Sequence, residues 1–253
     1  MGGDIAKILD DWAYDPDSNV RKIVGEDGAK KIQVRVDQGA FQGILQLNLD
    51  GRPDGKRPHD ADFVLDHYQA TLGEYRIQHD GEDAGFGLDH GSCEELFDES
   101  SRIYGRYVFL LQIKEYDRVV RDTERNMRLF EFVHTYAHED DDRMNLQKWW
   151  PYVLRVHATA CAMVSARAED FDRALEIIDE TRERIETLEE VEAEEFFEER
   201  ERSKQGLDEL EEQLRAKKPL SDREKLEQDL EAAVEAEAFE KAASIRDALK
   251  SLD

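Results

Sequence analysis

The sequence predicts a mainly helical protein with a small α+β unit at its N-terminus. Charged residues make up 38% of the chain and hydrophobic residues 40%, a balance that suits long helices with one face in water. Apolar and polar residues alternate at positions 32–36 and 45–49, whereas helical spacing dominates from about residue 92 onward. One helix-junction pattern then recurs three times, which predicts an array of helical hairpins.

Residues 1–80 are predicted to form the small α+β unit. The first strand is predicted at VRKIV, and the GEDG that follows it is typical of a turn, so a hairpin is expected. In the next strand, AKKIQVRVD, the apolar residues Ile32, Val34 and Val36 alternate with polar ones. GILQLNLDG alternates in the same way, and DGRPDGKRP stops it with Pro and Gly. We expect an antiparallel three-stranded meander, covered on its apolar face by a helix near DADFVLDHYQATLGEY.

Residues 81–91 are rich in Gly and acidic side chains, and we expect a solvated linker there. Residues 92–188 are predicted to be helical, with Ser92 and Glu95 as a capping box for the first helix and a loop at HEDDDRMN. Residues 189–218 are dense in Glu with sparse apolar positions, so we expect a long and mostly solvated helix.

Two adjacent tryptophans precede another predicted helix. Pro151 suits the first turn of that helix, because a missing N–H costs nothing there. At least one of Trp149 and Trp150 is expected in the core, and the other is a candidate anchor for a peptide.

The recurring junction appears as KEYDRVV, EDFDRAL and EAFEKAA, each with an aromatic residue followed by an acid and a base. The aromatic residue can pack between two antiparallel helices, and the acid lies in a first helical turn, where the helix dipole favours it. EDFDRALEII resembles a tetratricopeptide repeat, which implies antiparallel TPR-like hairpins and a peptide-binding groove. However, Tyr116 and Phe171 are 55 residues apart, against a repeat of about 34. Plain core packing is the alternative explanation of this pattern.

Residues 219–253 are predicted to form a separate helical hairpin. Ser221 and Glu224 make a capping box, and Phe239 lies at the corner between the helices, where we expect it to be largely buried. Two helices this short are marginal on their own in water. The hairpin should therefore dock on another helical pair, either within the chain or from a partner.

The segment LEQDLEAAVEAEAFEKAASIRDALKSL resembles the UVR motif, which occurs in the UvrB, UvrC, McsA and ClpC proteins of bacteria. The resemblance covers about 35 of the 253 residues. It implies a bacterial source and a hairpin that mediates protein–protein contact. The partner could also be a second copy of the chain. The motif match and the apolar stripes of the two helices together give the candidate partner-binding residues Leu226, Leu230, Val234, Phe239, Ala242, Ile245, Arg246 and Leu249.

Enzymatic motifs of the UVR-containing proteins are missing from the sequence. It has no GxxxxGK[ST] loop for an ATPase like UvrB, no GIY–YIG pattern for a nuclease like UvrC, and no CxxC pair for zinc as in McsA. His134 and His138 lie four residues apart but lack the HExxH order of a zinc site. We therefore expect no enzymatic activity, no metal site and no cofactor.

The net charge of −26 argues against direct contact with nucleic acids or anionic membranes. Arg52, Lys56 and Arg57 form the one compact basic cluster, a possible contact for an anion or an acidic partner; a charged turn is the alternative. Two cysteines and an N-terminus without the layout of a signal peptide favour a reduced, cytoplasmic protein.

The leading hypothesis is a non-enzymatic cytoplasmic adaptor that binds a protein partner through its C-terminal hairpin. The alternative is an accessory factor of nucleotide excision repair, recruited through a partner that resembles UvrB or UvrC. The sequence does not distinguish which pathway the partner belongs to.

Overall fold

The computed structural model describes residues 5–220 and 222–250. The strands are β1 Val20–Val24, β2 Lys30–Gln38 and β3 Phe41–Asn48. The α-helices are α1 Ala6–Asp10, α2 Val64–Gln78, α3 His90–Gln112, α4 Tyr116–Tyr136, α5 Asp140–Asn145, α6 Trp150–Arg167, α7 Phe171–Glu186, α8 Glu194–Lys217, α9 Asp222–Glu235 and α10 Phe239–Lys250. Short 3-10 helices cover Pro58–Asp60 and Gln147–Trp149.

The chain divides into two compact units, residues 1–211 and residues 212–253. The divisions predicted at residues 80, 91 and 188 all fall inside the first unit. The division predicted at residue 219 falls inside the second.

The N-terminal sheet is the predicted antiparallel meander, in the order β1-β2-β3. Val34 of β2 lies opposite Val20 of β1 and Leu45 of β3. The turn between β1 and β2 is closed by a hydrogen bond from the Gly25 N–H to the Ala29 carbonyl, at 2.8 Å. Val34 is 1% exposed, as alternation predicts, whereas Leu45 is 48% exposed.

One hydrophobic core joins the sheet to three of the helices. The sheet and the segment after it contribute Ile32, Leu49 and Phe63, which pack with residues of α3, α4 and α6. The helical members of this core are Ile103, Tyr107, Leu110, Tyr116, Val119, Val156 and Ala160. The mainly helical fold with a sheet at its N-terminal end is confirmed. This core joins the sheet to α3, α4 and α6, and it contains no residue of α2, the helix that was expected to cover the sheet.

A buried ion pair ties the end of the sheet to α3 and α4. Arg106 and Asp122 are each 1% exposed. Arg106 Nε donates to Asp122 Oδ2 at 2.7 Å, and its Nη2 donates to Asp122 Oδ1 at 2.8 Å. Arg106 Nη1 also donates to the carbonyl oxygens of Asn48 and Gly51, at 2.9 and 2.6 Å. The bonds to Asp122 therefore join α3 to α4, and the bonds to the two carbonyls hold β3 and the loop after it against α3.

The predicted start of the first long helix is wrong by three residues. Asp89, not Ser92, is the N-cap of α3, and its Oδ1 accepts from the Ser92 N–H at 2.8 Å. The predicted solvated linker is also wrong at Leu88, which is 2% exposed. Its N–H donates to the Tyr136 carbonyl at 2.7 Å, and its carbonyl accepts from the His138 N–H at 3.0 Å. These two backbone bonds draw the end of the segment onto the helical core.

One further helix prediction needs correction. The loop expected at HEDDDRMN contains α5, whose first turn carries three Asp residues, where the helix dipole favours negative charge. Helix α8 is long and mostly exposed, as predicted, but one of its faces is packed. It buries Phe196, Ser203 and Leu207, and Ser203 Oγ donates to the Pro151 carbonyl at 3.0 Å. The sparse apolar residues of α8 thus lie on one packed face.

The expectation that at least one of the two tryptophans lies in the core is confirmed. Helix α6 begins at Trp150 with Pro151 in its first turn. Trp150 is 7% exposed, and its Nε1 donates to Gln147 Oε1 at 2.8 Å. Trp149 is 37% exposed, so it is the member of the pair that remains accessible.

Candidate interaction site in the C-terminal hairpin

The C-terminal hairpin turns through three residues between α9 and α10. Glu237 takes a left-handed conformation, with φ of 54°. The Ala238 N–H donates to the Ala233 carbonyl at 2.9 Å, and the Glu237 N–H donates to the Val234 carbonyl at 3.0 Å. This pair of bonds is a Schellman motif, which satisfies the last carbonyls of α9 while it reverses the chain.

The same motif closes the other two junctions that share the sequence pattern. Lys114 and Glu169 have φ of 61° and 62°. The residues after them, Glu115 and Asp170, donate their N–H groups to the carbonyls of Leu110 and Ser165, at 2.9 and 3.0 Å. In all three places an aromatic residue begins the next helix, with an acid in its first turn. The recurrence seen in the sequence is therefore a recurrence of backbone geometry.

Burial of the corner aromatic residue differs between the three junctions. Tyr116 is 6% exposed and belongs to the core, and Phe171 is half-buried. Phe239 is 69% exposed, so the expectation that it is largely buried is wrong. Tyr116 is enclosed because the sheet and α6 cover the corner between α3 and α4. The described part of the second unit offers Phe239 no comparable cover.

The remaining candidate partner-binding residues fall into two groups. Ala242 is buried, at 8% exposure, and it helps α10 approach α9 closely. Val234 is 52% exposed, and Arg246 is also exposed. The half-buried candidates are Leu226, Leu230, Ile245 and Leu249. The hairpin therefore presents apolar surface at its turn, from Val234 and Phe239, with partly covered apolar residues along both helices.

The two helices of the hairpin differ in charge. Helix α9 carries six acidic and two basic residues, a net charge of −4, and α10 carries two acidic and three basic residues, a net charge of +1. A partner that covers the hairpin would therefore meet one acidic helix and one weakly basic helix. The capping box predicted at Ser221 and Glu224, and the apolar Leu252, lie outside the described residues and side chains.

Arg52 was predicted, with Lys56 and Arg57, as a possible contact for an anion, but the structure shows that its side chain is buried among acidic residues. Its side chain is 7% exposed and lies 3.0 Å from Asp54, 3.2 Å from Asp98 and 3.5 Å from Glu99. Glu99 is itself fully buried and accepts from two backbone N–H groups at the start of α2, and burial raises the pKa of its carboxyl group. Arg52 is thus part of an internal network, whereas Lys56 and Arg57 are exposed.

A cysteine and a histidine approach each other on α6. Cys161 Sγ lies 3.5 Å from His157 Nε2, and Thr123 Oγ1 lies 2.9 Å from His157 Nδ1. Burial raises the pKa of the Cys161 thiol to about 11 and lowers the pKa of His157. Cys161 and His157 are therefore neutral side chains that pack against each other. Cys161 lacks the thiolate form that a cysteine nucleophile requires.

Among the residues that the structure describes, no group of three or more His, Cys, Asp or Glu side chains is arranged to hold a metal ion. His134 is half-buried on α4, and His138 is exposed after it. No helix in the described ranges has the length and apolar content needed to cross a membrane.

Comparison with protein families identifies the hairpin. Residues 223–253 match the family model of the UvrB/uvrC motif, so the chain carries a UVR motif that includes most of α9 and all of α10. A search of curated proteins and a search of solved structures each gave no significant match. The tetratricopeptide resemblance of the central helices gains no support from these comparisons.

Proposed function

We propose that the protein is a non-enzymatic adaptor that binds a protein partner through the turn end of its UVR hairpin. The observation that carries this proposal is the exposure of Phe239, at 69%, at a corner whose counterpart Tyr116 is 6% exposed. A UVR motif is associated with protein interaction, and the match covers this corner.

The energetics favour Phe239 as an anchor. Burying the exposed part of its ring would contribute about 1–2 kcal/mol, and Val234 would add roughly 1 kcal/mol. Aromatic residues near the centre of a contact supply much of the binding free energy in protein interfaces. The exposed Arg246 and the basic balance of α10 would orient an acidic partner surface along that helix.

A role in nucleotide excision repair is the second candidate, favoured by the match to the UvrB/uvrC motif. The net charge of −26 opposes direct attraction to the phosphates of DNA. In this version the protein would reach DNA only through a partner that resembles UvrB or UvrC, held by the same hairpin.

Capture experiments with full-length protein would test both candidates. Tagged wild-type protein, Phe239→Ala and a matched control, Phe41→Ala, would be compared for proteins retained from a bacterial lysate and then for affinity to the purified main partner. Phe41 is 59% exposed but lies on β3, far in sequence from the motif. Phe239→Ala should weaken binding about tenfold, which corresponds to 1.4 kcal/mol, and Phe41→Ala less than about twofold.

Repair proteins among the captured partners would favour the second candidate, and protease or kinase components would favour an adaptor in proteostasis. Equal affinity of wild-type protein and Phe239→Ala for the main partner would contradict the proposed binding surface. Circular dichroism of the variants checks folding, since a side chain this exposed should contribute little to stability.

A further inference from the structure

A cavity of about 410 Å³ lies in the first unit, among α3, α4, α5, α6 and α8. Thirteen residues line it, and six of them are aromatic. The aromatic lining residues are Phe97, Tyr104, Tyr107, Phe130, Trp149 and Tyr152. Tyr104 is 46% exposed and Trp149 is 37% exposed, so these two stand where the cavity meets solvent. Its volume is within the range of small-molecule and side-chain pockets.

The aromatic rings are set at steep angles to each other. The rings of Tyr104 and Tyr107 are 5.5 Å apart at 88°, and those of Tyr104 and Tyr152 are 5.7 Å apart at 65°. Rings at such angles present both faces and edges to a shared space, as in aromatic cages for cations. Arg155 lies 5.1 Å from the centre of the Tyr152 ring, and Lys148 lies 5.4 Å from that of Trp149, yet neither cation lines the cavity.

The polar groups of the cavity include one carboxylate and one buried acceptor without a partner, and no cation is among its lining residues. Glu199 is the one charged residue among the thirteen that line it, and its side chain is 12% exposed. Asn126 is 1% exposed, and its Nδ2 donates to the Ser100 carbonyl at 3.1 Å. That bond fixes the orientation of the amide, and Asn126 Oδ1 is buried with no hydrogen-bond partner among the described residues. A buried acceptor without a donor is costly, so a ligand that supplies an N–H group would relieve it.

We propose that this cavity binds an organic cation that carries N–H donors, a guanidinium or alkylammonium group on an alkyl chain of about the size of an arginine side chain. The aromatic faces would hold the charge, Glu199 would pair with it, and Asn126 Oδ1 would accept one of its N–H bonds. The chemistry is that of an Arg or Lys side chain of a peptide, or of a free guanidine or amine of the same length. This inference concerns the first unit and does not depend on the hairpin.

Calorimetric titration of the full-length protein separates charge from hydrogen bonding. The probes are N-acetyl-arginine amide, its neutral analogue N-acetyl-citrulline amide, and tetramethylammonium, which has charge but no N–H group. The arginine probe should bind at least about fivefold more tightly than either of the others. A free guanidine on a butyl chain and a Gly-Arg-Gly peptide would then distinguish a small-molecule ligand from a peptide side chain.

A matched pair of variants isolates the cavity carboxylate. Glu198 and Glu199 are adjacent on α8, and both accept from Arg202, at 3.0 and 2.8 Å, but only Glu199 lines the cavity. Glu199→Gln should weaken binding of the arginine probe by about fivefold or more, and Glu198→Gln by less than about twofold. Tyr104→Leu, at an exposed position, should also weaken it.

Three results would overturn the proposal: equal binding of the citrulline and arginine probes, equal effects of Glu198→Gln and Glu199→Gln, or no saturable binding of the arginine probe up to about 10 mM. In ¹⁵N-labelled protein, the Asn126 side-chain amide and the Trp149 indole N–H should shift on titration with the arginine probe. Absence of these shifts in a protein that still binds the probe would place the ligand elsewhere and would also contradict the assignment.

Discussion

Loss of the Asp122 carboxylate should strongly destabilise the first unit. In Asp122→Ala, the Arg106 guanidinium would stay in the core without the two carboxylate bonds, which measure 2.7 and 2.8 Å. It would retain only its bonds to the carbonyls of Asn48 and Gly51. Removing one partner of a buried ion pair costs about 3–5 kcal/mol, because the other charge is left without compensation. This is a large fraction of the stability of a typical domain, about 5–15 kcal/mol.

Tryptophan fluorescence during urea unfolding would measure this loss in the first unit alone. All three tryptophans of the chain, Trp12, Trp149 and Trp150, lie within residues 1–211. With a urea m-value of about 3 kcal/mol per M, a loss of about 3–5 kcal/mol lowers the midpoint by roughly 1–1.7 M.

The matched control is Asp179→Ala, which removes an aspartate bound to Arg182 at 2.7 Å on the surface of α7. Asp179 has a side chain that is 58% exposed, so this substitution should cost less than about 1 kcal/mol. If Asp122→Ala costs no more than Asp179→Ala, the buried ion pair does not stabilise the packing of α3, α4 and the end of the sheet.

Three further outcomes are expected. Removal of residues 219–253 should change the midpoint of tryptophan-detected thermal unfolding by less than about 2 °C while it abolishes capture of the main partner; a larger shift would contradict the independence of the first unit. The Asp142 carboxylate raises the pKa of His90, so this pair favours the folded state below the unfolded pKa of about 6.5 and loses that effect as pH rises through the folded pKa. Histidine titration by NMR should show a pKa for His90 that is higher in wild type than in Asp142→Asn. Burial raises the pKa of Cys93 and Cys161 to about 11, so at pH 8 iodoacetamide should react with them far more slowly in folded than in urea-unfolded protein.

Most of the predictions that proved correct rested on local sequence patterns. Alternation located the strands around Ile32 and Val34, because successive side chains in a strand point to opposite faces. The junction pattern located three helix reversals, because an aromatic residue and a first-turn acid both favour the start of a helix after a Schellman turn. Neither inference required knowledge of distant contacts.

Predictions that depended on tertiary contacts were less successful. Arg52 follows a strand in a turn rich in charge, and nothing nearby in the sequence indicates that Asp98 and Glu99 enclose it. The cavity was missed for the same reason, since its lining comes from five α-helices and the segment between α5 and α6, at positions spread from Phe97 to Glu199. The adjacent residues Trp149 and Trp150 were the one sequence feature that pointed to this cavity, because one of them was expected to stay accessible.

The three junctions show how one local motif can serve two purposes. Each ends a helix in a Schellman motif and starts the next with an aromatic residue, so the backbone determines where the ring is placed. What surrounds the corner determines whether the ring is covered. Tyr116 meets a third layer made by the sheet and α6, and its burial adds to the stability of the first unit. Phe239 begins a helix in a hairpin with few buried side chains, so its ring stays in water. The apolar contact that stabilises the fold at the first corner is thus not made at the third, and this exposure of the ring is what supports the proposed interaction function.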